Sequence, residues 1–207
     1  NRILYLLHQG VSPTEILVIT FTKEAALSMQ KRFCDMVAPG SFPVNFGTFH
    51  SVFYQILRES NVVKSSKLLS DSEKKNLLYP ILYQYSQPGE DMSLLREEAV
   101  KVLNAFSYFK NTGNFTDAVK KCPEQWREHF QPIYEGYQQS VKQEKRLDFD
   151  DMLYQCRQLL AENKEIRMQW QKRFRHILID EFQDINPIQY EIIKLLAGEP
   201  YNLFAVG

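Results

Sequence analysis

A short apolar run that ends abruptly in carboxylates constrains the fold more than any other part of the sequence. Residues 177–179 are Ile-Leu-Ile, and they are followed by Asp180 and Glu181, with a further acid at Asp184. Such a run is typical of a strand buried on both faces of a parallel sheet, and we predict a strand over residues 176–181. Its terminal carboxylates would lie in the crevice where open α/β sheets bind ligands. One acid can hold Mg²⁺ and the next can polarise a water, as nucleotide hydrolysis requires; an exposed strand end with solvated acids is the alternative.

Composition gives no independent support for a nucleic-acid partner. The 207 residues include 25 Lys plus Arg and 25 Asp plus Glu, so the formal net charge is zero. A stand-alone basic nucleic-acid binder usually carries a positive excess, although neutrality is compatible with a local groove. Three widely spaced cysteines form no metal or disulfide pattern, which favours a reducing cytoplasmic location. With no apolar run near roughly 20 residues and no signal-peptide pattern, we predict no membrane association.

The order of predicted elements indicates three regions. Residues 1–51 alternate helix and strand, with strands over residues 15–21 and 44–46 and a helix capped by Thr22 between them. Residues 52–147 show helical spacing of apolar side chains throughout, with a break or kink predicted at Pro80. Residues 148–207 return to alternating helix and strand, ending with a strand over residues 202–206. The pattern predicts an α/β fold, in which a parallel sheet carries an all-helical insertion.

Five segments, in order along the chain, resemble motifs of UvrD/Rep/PcrA-type DNA helicases, superfamily-one motors that move along single strands in the 3′ to 5′ direction. Thr-Phe-Thr-Lys-Glu-Ala-Ala at 20–26 resembles the Thr-Phe-Thr-x-x-Ala-Ala motif, and residues 47–50 resemble Gly-Thr-Phe-His. Residues 148–153 resemble an Asp-Phe-x-x-Leu segment, residues 179–184 resemble the Walker B segment, and residues 205–207 resemble the strand that leads into the next motif. The resemblance implies a RecA-like parallel sheet of the P-loop NTPase type.

The resemblance also implies roles for individual residues, with ATP and Mg²⁺ as cofactors. Asp180 would be the magnesium-linked acid and Glu181 the general base for the attacking water. Independently of the resemblance, the neutral donor and acceptor groups of Gln183 could sense a phosphate or a neighbouring motif. Phe21 would stack on a base of single-stranded DNA, which a sequence-tolerant aromatic platform can do. The same DNA-binding face would include Thr20, Thr22, Thr48 and His50. The residues alone leave two alternatives open: a buried core aromatic at Phe21 and a hydrogen-bonded loop histidine at His50.

No Gly-x-x-x-x-Gly-Lys-Ser/Thr pattern is present in the sequence, although this family cradles phosphates with such a loop. The resemblance places residue 1 just beyond that loop. The first strand of the sheet would then also be missing, and one of its neighbours would be an open edge. We therefore expect the 207-residue chain alone to be inactive in ATP hydrolysis and unwinding, whereas a full-length parent would be active.

Two alternative functions are also compatible with these motifs. The chain could be the motor portion of an AddA/RecB-like helicase–nuclease, or a non-catalytic DNA-binding relative of such a motor. A generic α/β hydrolase that uses the two acids with a metal would explain neither Phe21 nor the Gly-Thr-Phe-His segment. Single-stranded DNA or duplex junctions are the expected nucleic-acid partners, and repair or recombination proteins are candidate protein partners; the oligomeric state stays open.

Overall fold

The computed structural model describes residues 2–37, 42–63, 67–86, 92–200 and 202–207. The chain divides into two compact units, of which the first combines Asn1–Val62 with Gln155–Gly207 and the second is Val63–Tyr154. The boundaries predicted from the sequence, at 51/52 and 147/148, lie 11 and 7 residues earlier along the chain. The helix that begins at Phe49 belongs to the first unit, since it follows directly from a strand of the main sheet.

The described residues form six strands and ten α-helices, numbered in chain order. The strands are β1 (Ile16–Thr20), β2 (Asn45–Thr48), β3 (Lys67–Leu68), β4 (Arg146–Leu147), β5 (His176–Ile179) and β6 (Leu203–Ala205). The helices are α1 (Arg2–His8), α2 (Lys23–Met36), α3 (Phe49–Glu59), α4 (Asp71–Tyr85), α5 (Met92–Thr112), α6 (Phe115–Lys121), α7 (Phe130–Gln143), α8 (Phe149–Glu162), α9 (Lys164–Arg173) and α10 (Pro187–Ala197). No helix in these parts of the chain has the length and apolar character that a bilayer crossing requires.

The first unit is built on a parallel sheet with the strand order β2-β1-β5-β6. Thr20 of β1 pairs with Thr48 of β2, Ile19 pairs with Ile179 of β5, and Ile179 pairs with Ala205 of β6. The C-terminal ends of all four strands therefore lie along one edge of the sheet. The predicted α/β fold with a parallel sheet is confirmed. Within the described residues β6 pairs with β5 alone, so its other side is open.

Burial on both faces explains the continuous apolar sequence of the central strands. All five residues of β1 are buried. Ile16 and Val18 share a core cluster with Leu178 of β5, with Leu6 of α1 and with Phe33 of α2. The alternate residues of β1 point to the opposite face of the sheet and are equally buried, as in parallel sheets covered by helices on both sides.

Capping residues set the helix boundaries where the sequence indicated them. The Thr22 hydroxyl accepts a hydrogen bond from Ala25 N at 3.1 Å and so begins α2. Asn186 caps α10 with Pro187 at its first position, and Gly198 ends this helix with a φ of 64°. A glycine suits that end because an L side chain is strained at positive φ.

The second unit is a helical cluster closed by the two-residue parallel pair of β3 and β4, which the sequence did not predict. Its core includes Trp126 and Tyr137, both nearly inaccessible to solvent. The break that was predicted as one alternative at Pro80 is absent, because α4 continues through this residue to Tyr85, and the other alternative, a kink, stays a prediction. The flanking Leu78 and Leu82 are fully buried, so packing compensates for the hydrogen bond that proline cannot make.

A buried ion cluster lies inside the second unit. Lys110 Nζ is 2.9 Å from Asp148 Oδ2 and 2.9 Å from Asp151 Oδ1, and Lys74 Nζ is 2.8 Å from Asp148 Oδ1. The hydroxyl of Tyr137 donates to Asp148 Oδ2 at 3.4 Å. Side chains from α4, α5 and α7 thus contact the beginning of α8 through ion pairs and a hydrogen bond, although no local pattern in the sequence predicted this cluster.

The two aspartates of this cluster differ in pKa because they have different numbers of cationic partners. Burial by itself would raise the pKa of Asp148, but Lys110 and Lys74 outweigh burial and hold it below its ordinary value. Burial raises the pKa of Asp151, and Lys110 offsets this only in part. For Lys110 burial would lower the pKa, but the carboxylates of Asp151 and Asp148 hold it above its ordinary value.

Candidate functional site

The strand-end rim, defined here as the C-terminal ends of β2, β1, β5 and β6 with the residues that follow them, collects the predicted site residues on one edge of the sheet. Asp180 N donates to Ile19 O at 3.1 Å, so Asp180 lies beside the end of β1. On its other side, Val206 N donates to Ile179 O at 3.0 Å. This edge is where open parallel sheets bind their ligands.

The acid loop, residues 180–184, departs from the extended conformation directly after β5. Glu181 has φ 55° and ψ 47°, the left-handed region that a non-glycine residue seldom occupies. This backbone ends the strand at Ile179, two residues before the predicted end. Phe182 N then donates to Val206 O at 2.9 Å, which ties the loop to the end of β6, and Asp184 N donates to Glu181 O at 3.0 Å within the loop.

Within the acid loop, the side chains differ in their exposure to solvent. Asp180 is half-buried, whereas Glu181, Gln183 and Asp184 are exposed. Gln183 Nε2 donates a hydrogen bond to Glu181 Oε2, a contact that sequence reasoning did not anticipate. The loop therefore presents two adjacent carboxylates, one partly sheltered at the strand end and the other held by a neutral amide.

Phe21 lies immediately after β1 and is half-buried. Its ring centroid is 5.0 Å from that of Phe49, and the two rings are tilted by 55°. Phe49 is fully buried and in turn contacts Phe53, with 6.0 Å between ring centroids. One side of Phe21 is thus supported by core aromatics while part of the ring stays accessible, which is the geometry of a stacking platform.

The rim threonines use their hydroxyl groups to shape the loops that carry Phe21 and His50. Thr20 is buried and its hydroxyl donates to Thr22 O at 2.9 Å. Thr22 is exposed and caps α2 through its side-chain oxygen. The side chains of Thr48 and His50 are both half-buried, on either side of Phe49. All five residues predicted for the DNA-binding face therefore lie at the ends of the adjacent strands β1 and β2.

Ser51 and Gly47 complete the rim, and sequence reasoning missed both contributions. Ser51 N donates to the Thr48 hydroxyl at 3.2 Å while the Ser51 hydroxyl accepts from Thr48 N at 2.8 Å, which is a reciprocal capping box for α3. A Cβ at Gly47 would lie 2.9 Å from the Ser51 hydroxyl oxygen, so only glycine fits without displacement. The Thr-x-x-Ser spacing was the available sequence signal.

The donor set at the rim matches a hard cation that is shared with phosphates. No group of three or more His, Cys, Asp or Glu side chains in the described residues could hold a metal ion without other ligands. Mg²⁺ commonly takes only one or two protein carboxylates and completes its shell with waters and phosphate oxygens. The half-buried carboxylate of Asp180 fits that arrangement, and the N-termini of α2 and α3 at the same rim favour anions.

Comparison with known proteins agrees with this geometry. The Bacillus subtilis protein YjcD is 33% identical over 206 residues, which cover 97% of this chain and 26% of YjcD. The proteins named ATP-dependent DNA helicase PcrA from Staphylococcus aureus and Staphylococcus epidermidis are 30% and 32% identical over 213 residues, covering 100% of this chain and 28% of each relative.

The chain thus spans about a quarter of the length of these relatives. A family model described as the UvrD/REP helicase N-terminal domain matches residues 1–207, the whole of the sequence. With its parallel sheet and with acids and aromatics on one rim, the chain belongs to the UvrD/REP helicase N-terminal domain family.

Proposed function

We propose that this chain is part of an ATP-dependent DNA helicase motor, which couples ATP hydrolysis to 3′ to 5′ movement along single-stranded DNA. The observation that carries the proposal is the strand-end rim, because the acid loop after β5 and the aromatic platform after β1 follow hydrogen-bonded neighbouring strands. In this arrangement a change at the nucleotide can reach the DNA through the end of one strand pair. The names of the PcrA relatives support ATP-dependent DNA helicase activity and do not bear on the direction of movement.

On the nucleotide side, Asp180 would hold Mg²⁺ together with the phosphates of ATP, and the ion would neutralise charge on those phosphates when bound. Glu181 would accept a proton from the attacking water as general base. Gln183, within hydrogen-bond distance of Glu181, would act together with it. Glu181→Gln in the full-length parent should abolish ATP hydrolysis while leaving ATP binding intact, and retained hydrolysis would refute this assignment.

On the DNA side, Phe21 would stack on a base, and Thr22, Thr48 and His50 would contact the strand beside it. Thr20, which is buried, would support this face indirectly, because its hydroxyl donates a hydrogen bond to Thr22 O and so holds the loop in place. Such contacts read no sequence, which suits a motor that moves along any strand. Duplex junctions and repair or recombination proteins are further proposed partners, and the motor would work in the cytoplasm, in keeping with the free cysteines.

The helical unit would be an insertion within the motor domain. We expect no appreciable ATP hydrolysis by the 207-residue chain itself, because its sequence contains no Gly-x-x-x-x-Gly-Lys-Ser/Thr pattern to hold the β- and γ-phosphates. DNA-stimulated turnover by the purified chain in a steady-state assay would contradict this expectation.

Phe21→Ala in the full-length parent tests the DNA face. A lost base stack is worth about 1–3 kcal/mol, so single-strand binding should weaken by about 5- to 150-fold and DNA stimulation of ATP hydrolysis should be lost. Binding would be measured by fluorescence anisotropy with a labelled oligonucleotide, and nucleotide binding should be retained.

Phe42→Ala is the matched control for this experiment. Phe42 is also a partly exposed phenylalanine that packs on a core aromatic, Phe33, but it precedes β2 and so lies away from the strand-end rim. It should leave DNA binding unchanged. If Phe21→Ala and Phe42→Ala behave alike, Phe21 is not part of the DNA site.

A further inference from the structure

Gln183 connects the carboxylate of Glu181 to the residues that follow β6. Its Nε2 donates a hydrogen bond to Glu181 Oε2. Its Oε1 lies beside Gly207, so near that a Cβ built on Gly207 would be 2.1 Å from this oxygen and 3.3 Å from Cδ of the same side chain. The side-chain amide of Gln183 therefore contacts Glu181 through its nitrogen, and its oxygen fills the space beside Gly207.

Backbone hydrogen bonds fix the frame around this contact. Phe182 N donates to Val206 O at 2.9 Å, and Val206 N donates to Ile179 O at 3.0 Å. Backbone hydrogen bonds alone therefore join the acid loop to the end of β6. Because this backbone is already held in place, the contact has to restrict only the side-chain torsions of Gln183 and Glu181.

A neutral amide is well suited to orient a carboxylate that has to act as a base. An exposed glutamate without a partner samples several rotamers. A general base must lie within hydrogen-bond reach of its water, and a misplacement of about 1 Å can reduce a rate by about 100-fold. An amide donor restricts the carboxylate without adding the opposing charge that a lysine or arginine would bring.

We infer that Gln183 is a positioning residue, which holds the carboxylate of Glu181 at the strand-end rim and keeps its own place because Gly207 has no side chain. The inference rests on the proposed function, since it concerns the orientation of the proposed base. It adds a route of control: a shift of the residues after β6 displaces Gln183 and, through it, Glu181.

The test is steady-state ATP hydrolysis by the full-length parent at saturating single-stranded DNA. Gln183→Met keeps the length of the side chain but removes the donor. We expect kcat to fall by about 10- to 100-fold while KM for ATP changes by less than about twofold, because orientation is lost and nucleotide binding is not. Gln158→Met is the matched control, since Gln158 Nε2 donates to Glu162 Oε1 at 3.1 Å on the surface of α8, and it should change neither constant.

Gly207→Ala disturbs the same contact from the other side, because its methyl group would displace the Gln183 side chain. It should lower kcat to a similar extent. The double variant Gln183→Met/Gly207→Ala should be no slower than the slower single variant, since each change removes the same interaction.

Glu181→Gln separates failure of this inference from failure of the proposed function. If the unsubstituted parent does not hydrolyse ATP, the proposed function itself is refuted. If Glu181→Gln hydrolyses ATP normally, the assignment of Glu181 as the base is refuted. If Glu181→Gln is inactive but Gln183→Met keeps the parental kcat, the positioning role is wrong and the proposed function stands. The positioning role is also overturned if the two single losses multiply in the double variant.

Discussion

At the scale of single residues, the backbone of Glu181 sets this chain apart from an ordinary strand end. Glu181, Asn61 and Lys145 are the non-glycine residues with positive φ in the described parts of the chain. Asparagine tolerates this region, whereas a glutamate there costs roughly 1 kcal/mol or more. Such a strained backbone persists where neighbouring contacts hold it in place, and here the backbone N of the flanking Phe182 donates a hydrogen bond to Val206 O. It places the proposed base at a sharp turn, where its carboxylate is exposed.

Glu181→Gly should therefore stabilise the chain while destroying the proposed activity of the parent. Relief of the left-handed strain exceeds the extra backbone entropy of glycine in the unfolded chain, so we expect the free energy of unfolding to rise by about 0.5–1 kcal/mol. Urea denaturation of the 207-residue chain would measure the change.

Lys145→Gly is the matched control for that experiment, because Lys145 is also exposed and has a φ of 50°. It should give a similar gain in stability without affecting ATP hydrolysis by the parent. A loss of stability in Glu181→Gly alongside a gain in Lys145→Gly would show that contacts of the Glu181 side chain outweigh its backbone strain.

At the scale of elements, the helix α3 depends on a cap that also shapes the rim. Thr48→Ala removes the hydroxyl that accepts from Ser51 N, and the loss of such a cap costs about 1 kcal/mol of stability. Asn163→Ala removes the equivalent cap of α9, where Asn163 Oδ1 accepts from Ile166 N at 3.0 Å. We expect similar losses in chemical denaturation of the chain, but weaker single-strand binding by the parent in Thr48→Ala alone. Equal DNA affinities of the Thr48→Ala and Asn163→Ala variants would indicate that the Thr48 cap has no part in the DNA face.

Local chemistry explains which elements the sequence could predict. Apolar runs and caps such as Thr22, Ser70 and Asn186 have their effect within a few residues, and the strands and helix starts that they predicted are present. Helix α9 was not predicted as a separate element, because its first turns are largely polar and Trp170 is its one buried residue. The helix does not break at Pro80, because burial of its neighbours overrides proline's intrinsic preference.

The sequence was enough to predict which residues form the candidate site, but not how they contact one another. Asp180 and Phe21 could be placed on one rim from the rule that parallel strands end on the same edge. The left-handed turn at Glu181, the reach of Gln183 and the ion cluster around Lys110 join residues through three-dimensional packing. No spacing in the sequence encodes them.

At the scale of the whole molecule, the buried cluster makes stability sensitive to alkaline pH. Burial and the nearby Asp148 raise the pKa of Tyr137, and the carboxylates raise that of Lys110 against the effect of burial. In the unfolded chain these groups lose protons from about pH 10 upward, whereas in the folded chain they keep their protons to higher pH. The folded state then binds more protons than the unfolded state, so stability falls as pH rises through this range. Burial acts in the same direction on Cys122, whose pKa it raises to about 12.

Tyr137→Phe should flatten this pH dependence. Removal of one such group lessens the decline in unfolding free energy above about pH 10.5 by up to about 1.4 kcal/mol per pH unit. Denaturant titrations of the chain at a series of pH values from neutral to alkaline would measure the slope. Tyr83→Phe, at a position that is 64% exposed, is the control and should keep the parental slope. An unchanged slope in Tyr137→Phe would mean that this phenol does not stay protonated in the folded chain.

The position of β1 beside β5 has a consequence for the order of assembly. Strand β1 ends at Thr20 and the adjacent strand β5 begins at His176, yet the entire helical unit lies between these two residues along the chain. Closing so long a loop has an entropic penalty that a compact intervening segment reduces. Helices form through near neighbours, so this segment can condense first and bring the distant strands together. Substitutions confined to the helices are thus expected to delay the appearance of the sheet in a refolding experiment, even though they touch none of its residues.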